Sequence, residues 1–296
     1  MSPLLRLMHS LDRCGLGRLV GLAALALLVG GPAIAQANPV NAEKLLTDPE
    51  EGGWSGSLST NFALSVGNVD RLSLGFSGGL QYWTLYPEGV GYRDRPAPSG
   101  ARRFFRDRWV LITNAAFIRV GDNDVVNNGF AHTRYTRMWR PRVGSDFFAQ
   151  SQYNEFKLLQ QRSLGGLGIR VDPINQRAAQ VWAGTGYMAE YERNNIDPAI
   201  DPHPARVVNH RWTSYAVLQL RLWDSAFVAR NTTYFQPRFD DFADFRLLEA
   251  LQMETRAGVV ALGVEVELQY DNDPPVVSGV VPLDVFVINY LRIGGG

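Results

Sequence analysis

The clearest pattern in the chain is a strict alternation of apolar and small polar residues between positions 54 and 66. One parity reads Trp, Gly, Leu, Thr, Phe, Leu and Val, and the other reads Ser, Ser, Ser, Asn, Ala and Ser. Because successive side chains of a β-strand point to opposite faces of a sheet, one face here is apolar and the other polar. The pattern therefore predicts a strand whose apolar face is buried against a second sheet or against lipid.

About twelve segments with this alternation follow one another along the chain, separated by turn residues. They cover residues 53–66, 70–83, 108–120, 130–140, 143–154, 158–171, 178–191, 207–223, 225–237, 244–255, 258–270 and 283–293. Each has about ten residues or more, which is the length that a tilted membrane strand needs. Outside the N-terminal segment we find no convincing amphipathic helix, so the fold class is all-β.

A soluble β-sandwich and a membrane β-barrel both produce such alternation. Three observations favour a single antiparallel up-and-down transmembrane β-barrel. The segments are long, where strands of globular proteins usually have about 5–6 residues. Their number is even, as in bacterial barrels. Finally, five tryptophans fall near strand ends at one predicted rim and are expected to form a membrane-interface girdle: Trp54, Trp83, Trp109, Trp139 and Trp223.

The N-terminal segment has the features of a cleaved secretory signal peptide. Three arginines precede an apolar run over residues 19–29, and an Ala-x-Ala cleavage motif follows at residues 33–35. The run is shorter than the ~20 residues that a membrane-spanning helix needs, which makes a membrane anchor the weaker interpretation. We therefore predict a signal peptide over residues 1–35, a short periplasmic segment over 36–52 and the barrel over 53–296.

Composition narrows the function classes further. The one cysteine, Cys14, lies in the leader, so the mature chain can form no disulfide, thiol nucleophile or thiolate metal site. Removing three arginines and one aspartate with the leader takes a chain of formal charge 0 to about minus two. This balance gives no support for nucleic-acid binding. An exported, cysteine-free chain is typical of a bacterial envelope protein.

Three stretches of sequence resemble a known family. They are GWSGSLSTNFALSVGNVD near the start of the mature chain, QYNEFKLLQQRSLGGLGIR in its middle (residues 152–170) and VELQYDNDPP near its end (residues 266–275). Together they resemble the domain-of-unknown-function 481 family, outer-membrane proteins of Gram-negative bacteria that are sometimes described as induced by salt stress. The resemblance implies an outer-membrane β-barrel of unassigned activity. The chain departs from that pattern in an arginine-rich connection over residues 84–107 and in its end, which runs past Tyr290 to Gly-Gly-Gly instead of finishing on an aromatic residue.

Candidates for catalysis and metal binding are few. His210 and Ser214 share one strand face, but residues four apart on a strand are ~13 Å apart, too far for a nucleophile and its base. Acidic pairs at residues 122/124, 240/241 and 271/273 lie in predicted outer loops, where Asp is also a common turn residue. The glycines at 165, 166 and 168 are attributed to close packing within a strand. We predict no enzyme activity, no metal site and no cofactor.

The polar parity of the strands is the best candidate for a functional surface. It predicts a lumen lined by charges of both signs, contributed by Asn61, Gln81, Arg162, Arg170, Arg211, Arg221, Glu254, Glu265 and Glu267. A barrel of about twelve strands lies between the filled interior of eight strands and the aqueous channel of sixteen. Opposite charges can therefore either pair and close the lumen or line a small polar pore.

Two functions follow, and the sequence does not separate them. The first is a narrow outer-membrane channel for ions or small polar solutes. The second is a non-conducting barrel that supports outer-membrane integrity under salt or osmotic stress. In both cases the expected partners are outer-membrane lipids, lipopolysaccharide and, during biogenesis, the barrel-assembly machinery. A lipid hydrolase is a third possibility, which the spacing of His210 and Ser214 does not support.

Overall fold

The computed structural model describes residues 52–67, 70–91, 103–258 and 260–293. The predicted signal peptide, most of the predicted periplasmic segment, the central part of the arginine-rich connection and the Gly-Gly-Gly terminus lie outside these residues. No helix in the described part of the chain is long and apolar enough to cross a membrane.

Twelve antiparallel strands make up the described chain, each paired with the strand before and after it in sequence. They are β1 Gly53–Ser65, β2 Arg71–Leu85, β3 Phe105–Val120, β4 Asn123–Arg140, β5 Val143–Asn154, β6 Leu159–Asn175, β7 Ala179–Asn194, β8 Arg206–Leu222, β9 Phe227–Pro237, β10 Phe245–Ala257, β11 Val260–Asp271 and β12 Leu283–Ile293. Short 3₁₀ turns occupy Glu155–Lys157 and Val276–Ser278. The all-β, up-and-down prediction with about twelve strands is confirmed.

The largest difference in strand limits concerns β4, which starts at Asn123 instead of residue 130. The β3–β4 connection is consequently a tight turn, and Asp124 lies within β4 opposite Arg119. The two side chains form an ion pair with Arg119 Nε 2.5 Å from Asp124 Oδ1. The predicted acidic outer loop at 122/124 is thus a turn followed by a strand, in which pairing with β3 and the ion pair with Arg119 hold Asp124 although aspartate is uncommon in strands.

Burial alternates along most strands and defines an inner and an outer face of the sheet. In β3, for example, Val110, Ile112 and Ala116 are buried on the inner face, while the side chains between them are only half-buried. The outer face exposes most of the large apolar side chains, including Leu167, Ile169 and Leu218. Most of the other buried side chains are polar, so the polarity of the sheet is largely the reverse of that in a soluble sandwich.

Glycines on the inner face make room for large side chains from neighbouring strands. A Cβ at Gly166 would lie 2.8 Å from Cε1 of the Phe148 ring, and a Cβ at Gly184 would lie 2.7 Å from Cζ of Tyr215. Neither distance is possible for a real side chain, so only glycine fits there. In the glycine-rich stretch of β6, close packing explains Gly166 and also Gly168, where a Cβ would lie 2.6 Å from the Thr185 carbonyl oxygen, but not Gly165, where the nearest atom would be 3.8 Å away.

The sheet curls until its inner face closes on itself. Tyr215 of β8 donates a hydrogen bond to Asp146 of β5 (2.5 Å), and Arg134 of β4 donates one to the Tyr234 hydroxyl of β9 (3.4 Å). At one end, Lys157 of the β5–β6 turn pairs with Asp284 of β12. Among the described residues, however, no hydrogen-bonded register joins β1 to β12. These two strands are the edges of the sheet, and β1 is exposed on both faces.

The two ends of the curled sheet differ in their connections. One end carries the β2–β3, β4–β5, β6–β7, β8–β9 and β10–β11 connections, and we call it the tryptophan end because Trp54, Trp109, Trp139 and Trp223 lie there. Apart from β2–β3, its turns are short. The opposite end carries the longer connections 195–205, 238–244 and 272–282, and we call it the loop end.

Candidate functional site

The predicted lumen residues lie on the inner face, with one exception. Gln81, Arg162, Arg170, Arg211, Glu254, Glu265 and Glu267 are all buried there, and Arg221 is half-buried with Nη1 2.6 Å from the Gln180 side-chain oxygen. Asn61 has the inner parity, but its side chain is exposed because β1 is an edge strand. The alternation therefore identifies the inner surface wherever a strand has two neighbours.

Glu190 of β7 is the centre of the largest inner cluster. Its carboxylate accepts hydrogen bonds from Arg162 Nε (2.7 Å), Arg211 Nε (3.1 Å) and Arg246 Nη1 (2.9 Å). Asn209 Nδ2 adds a longer contact of 3.4 Å. Arg162 is 0% exposed and Glu190 1%, so these charges are fully removed from solvent. A buried carboxylate needs such compensation, since an unpaired buried charge is very costly.

The cluster continues toward the loop end through three more carboxylates. Glu192 accepts from Arg246 Nη1 and Nη2 at 2.7 and 3.0 Å, and Asp271 accepts from Arg246 Nε at 2.8 Å. Asp244 accepts from Arg211 Nη1 and from Arg238 Nη1, both at 3.1 Å. We call this set the Glu190 network; it comprises Glu190, Glu192, Asp244, Asp271, Arg162, Arg211, Arg238 and Arg246. Four carboxylates balance four guanidinium groups.

The middle of the interior is filled by smaller polar contacts and aromatic rings. Asp146 accepts from the hydroxyls of Thr136 and Tyr215, both at 2.5 Å. His132 lies 3.0 Å from the Gln150 side-chain oxygen, and the rings of Tyr215 and Tyr234 lie 5.6 Å apart. The cavity in this region measures about 30 Å³, and those at the loop end and the tryptophan end about 30 and 40 Å³. Each has room for a few water molecules.

Two loops at the loop end are joined by Asp201. Its carboxylate accepts from the Ser278 hydroxyl (2.6 Å) and backbone NH (3.0 Å), and from the His203 backbone NH (3.0 Å). His203 Nε2 lies 3.1 Å from the Asp273 carbonyl oxygen. The Ser278 hydroxyl bond, followed by the His203 NH bond, holds the pKa of Asp201 below its ordinary value. The charged Asp201 carboxylate therefore joins connections 195–205 and 272–282.

Four of the five predicted girdle tryptophans are placed on the outer side of the tryptophan end. Trp54, Trp139 and Trp223 are 65%, 58% and 77% exposed, and Trp109 packs edge-on against Trp54 with ring centroids 5.9 Å apart. Trp83 differs, since it is 3% exposed and points inward. Its neighbour Tyr82 has the outer parity, and parity rather than nearness to the strand end sets direction. Trp83 is therefore removed from the predicted girdle.

A second aromatic band lies at the loop end across β8 to β11 and was not predicted from the sequence. Phe245 packs against Phe235 and Tyr270 with ring centroids 5.4 and 5.5 Å apart. Trp212 approaches Phe242 at 6.1 Å. These rings share the outer parity at the ends of successive strands. Predicting the band from the sequence would therefore require the strand register.

One polar cluster interrupts the apolar outer face. Glu249 of β10 lies on the same parity as Leu247 and Leu251, four residues from Phe245 of the loop-end band. Its carboxylate accepts hydrogen bonds from Asn231 Nδ2 and from Thr233 Oγ1 of β9. The pattern of β10 is otherwise apolar on this side, which makes the cluster a departure from strict alternation.

The residues considered for catalysis do not come together. His210 Nδ1 lies 2.5 Å from the Tyr187 hydroxyl, whereas Ser214 donates to the Phe235 carbonyl oxygen. Each group therefore has another partner. Within the described residues, no group of three or more His, Cys, Asp or Glu side chains could hold a metal ion. Of the acidic pairs considered, Asp240 pairs with Arg238, which lowers the pKa of the Asp240 carboxyl.

The comparisons with known proteins add one family. The family model described as "Protein of unknown function, DUF481" matches residues 101–279. No curated protein matches the sequence. A solved structure described as the NanC porin in a rhombohedral crystal form is 8% identical, covers 81% of this chain and 97% of its own, and has a TM-score of 0.41. Because the family model spans more than half of the sequence, the chain belongs to the DUF481 family of proteins of unknown function.

Proposed function

We propose that the protein is an outer-membrane β-barrel whose interior is closed to solutes by the Glu190 network. The observation that carries this proposal is the position of three arginines around one fully buried carboxylate. These side chains come from β6, β7, β8 and β10, and Arg246 of β10 reaches Glu190 of β7 although the two strands are not neighbours in the sheet. A barrel whose lumen is filled in this way serves as a rigid structural protein of the outer membrane.

The size of the remaining space supports the same proposal. Internal cavities of about 30–40 Å³ admit a few water molecules each and are far smaller than a sugar or an amino acid. Hydrated ions would have to displace buried, paired side chains to pass. Non-conduction is therefore the expected property of the described conformation.

The outer surface supports a membrane location. Trp212 of the loop-end band and Trp223 of the tryptophan end are eleven residues apart along β8 and its following turn. At ~3.3 Å per residue this is about 36 Å along the strand. With the usual strand tilt of about 35–45° the height becomes about 26–30 Å, close to the apolar band of about 25 Å of membrane barrels. Lipid and lipopolysaccharide are the partners proposed for this band.

A narrow channel is the second candidate, because some buried polar atoms indicate hydration. Asn114 Oδ1, Thr232 Oγ1 and Gln236 Oε1 are buried without a hydrogen-bond partner in the described chain. Buried polar atoms of this kind are usually satisfied by internal water. A continuous file of such water around the network would let small ions pass.

Planar bilayers separate the two candidates. The purified mature protein is inserted at 1 M KCl, a condition chosen to maximise any ionic current, and a silent bilayer is expected. A Glu190→Ala, Arg246→Ala variant removes the centre of the network and is expected to give discrete conductance steps. Steps of equal size from wild type would refute closure and favour the channel. Deletion of the gene should then cause salt or detergent sensitivity without altered solute uptake if the barrel is structural.

A further inference from the structure

Two rows of side chains cross the outer face of the sheet at the tryptophan end. The first row is aromatic, and its members stand opposite one another in the registers of β1 to β4: Trp54, Tyr82, Trp109 and Tyr135. The second row lies two residues closer to the strand ends, about 7 Å away. In it, Thr84 of β2 pairs with Asp107 of β3, and Asp107 pairs with Arg137 of β4. Aromatic rings with charged groups on their solvent side are typical of a membrane interface.

Asp107 holds two arginines beside the aromatic row. Its Oδ1 atom accepts hydrogen bonds from the Tyr135 hydroxyl at 2.9 Å and from Arg137 Nη1. Its Oδ2 atom accepts from the Thr84 hydroxyl at 2.9 Å and from Arg106 Nε at 3.1 Å. Four donors use the full acceptor capacity of a carboxylate. The Asp107 carboxylate therefore fixes both guanidinium groups in place before any ligand arrives, which lowers the entropy that binding costs.

Both guanidinium groups are accessible and share one negative charge. The side chains of Arg106 and Arg137 are 49% and 43% exposed, whereas that of Asp107 is 15% exposed. Among the described residues, Asp107 is the acidic partner of both arginines, so the three groups together carry a formal charge of plus one. A guanidinium group has five N–H donors, and each of these two uses one of them on Asp107. The other donors are available to a phosphate group.

We propose that these groups bind the headgroup of an anionic phospholipid, and we call Arg106, Asp107, Trp109, Tyr135 and Arg137 the headgroup patch. A phosphate group accepts paired hydrogen bonds from guanidinium groups, so two arginines on one carboxylate are suited to it. The rings of Trp109 and Tyr135 lie one step nearer the membrane centre, where they meet the glycerol and the upper acyl chain of the same lipid. The proposal rests on the membrane location proposed above and does not depend on closure of the lumen.

The position of the headgroup patch favours phospholipid over lipopolysaccharide. Membrane barrels keep their short turns on the periplasmic side. Apart from β2–β3, the tryptophan end carries the short turns, so the patch faces the periplasmic leaflet, which consists of glycerophospholipids. Lipopolysaccharide occupies the opposite leaflet, at the loop end. An anionic glycerophospholipid is therefore the occupant that both the charge and the position of the patch favour.

Native mass spectrometry of the full mature protein tests the headgroup patch. Protein refolded in uncharged detergent receives equal amounts of phosphatidylglycerol and phosphatidylcholine with the same acyl chains, and the wild type should retain phosphatidylglycerol preferentially. Arg137→Gln should lower this preference about five-fold, the factor that corresponds to about 1 kcal/mol for one basic residue at an anionic lipid surface. Arg106→Gln combined with Arg137→Gln should lower it about 25-fold, because the two contributions multiply.

Arg119→Gln is the matched control. Arg119 lies on β3 like Arg106, its side chain is also 49% exposed, and it also pairs with an aspartate, Asp124, but at the loop end. The lipid preference of this variant should equal that of the wild type. Heat-modifiable migration in gels checks that every variant is folded, and Arg106→Gln alone replaces Arg137→Gln if the latter does not fold.

Equal retention of the two lipids by the wild type would overturn the site, and so would an equal loss of preference in Arg119→Gln. Displacement of phosphatidylglycerol by inorganic phosphate, or a preference for lipopolysaccharide in the same assay, would overturn the assignment to a phospholipid headgroup. Flotation with phosphatidylcholine vesicles measures membrane insertion separately. A protein that floats without lipid preference refutes the headgroup patch alone, whereas failure to float refutes the membrane location as well. Bilayer conductance enters none of these outcomes.

Discussion

Replacement of Glu190 by glutamine is the sharpest test of the interior. The substitution preserves shape but removes one negative charge from a network of four carboxylates and four guanidinium groups. Arg162 donates to one carboxylate oxygen and Arg211 and Arg246 to the other, so the glutamine NH2 group must face a guanidinium donor on one of the two sides. Because Glu190 and these three arginines are almost fully buried, water cannot replace the missing charge.

The expected loss follows from what each arginine retains. Removing one partner of a buried ion pair usually costs about 3–5 kcal/mol. Here Arg162 keeps Glu192 at 3.2 Å, Arg246 keeps Glu192 and Asp271, and Arg211 keeps Asp244. The low end of that range therefore applies, and we expect the free energy of unfolding to fall by about 3 kcal/mol. This corresponds to roughly a 150-fold change in the unfolding equilibrium.

Urea unfolding of the protein refolded in lipid vesicles, followed by tryptophan fluorescence, measures this change. The midpoint should shift while the slope of the transition stays constant, which shows that stability and not compactness has changed. Asp224→Asn is the matched control, since its ion pair with Arg177 is 86% and 66% exposed and should contribute little. Equal shifts in the two variants would refute the reasoning, because the buried ion pairs would then contribute no more to the free energy of unfolding than the exposed one.

Three further predictions concern the loops and the outer face. Glu249→Gln should raise the free energy of unfolding in vesicles by about 1 kcal/mol, since a lipid-facing charge is unfavourable; a clear loss in urea unfolding would contradict this. Because the pKa of Asp201 is lowered, its loop contacts should persist above pH ~4, near the ordinary value of an aspartate, and be lost on further acidification. In the wild type, pepsin should then cleave connection 195–205 only as the pH falls. At neutral pH, proteinase K should cleave this connection in Asp201→Asn but not in the wild type. Resistance of the variant equal to that of the wild type would contradict the role of Asp201 in joining the two loops. Brominated lipids should quench the fluorescence of Trp139 and Trp223 in single-tryptophan variants but leave that of Trp83 unaffected. Quenching of Trp83 would show instead that its ring lies on the outer face of the sheet.

The strands could be predicted from sequence because their determinant is local. In β11 the alternation of Val264, Val266 and Leu268 with Glu265 and Glu267 requires no knowledge of neighbouring strands, and every one of these residues has the predicted direction. The start of β4 could not be found in this way. Residues 123–129 carry polar residues on both parities and one valine on each, Val125 and Val126, so the alternation fades although the backbone pairing with β3 continues.

The partners inside the barrel depend on long-range geometry. Glu190 and Arg246 are separated by 56 residues, and Arg134 and Tyr234 by 100. Parity assigns all four to the inner face, yet height along the strand and sheet curvature decide which of them meet. Glu190, Glu192 and Arg246 were missed from the predicted lumen set, although the inner parity of β7 and β10 could have identified them.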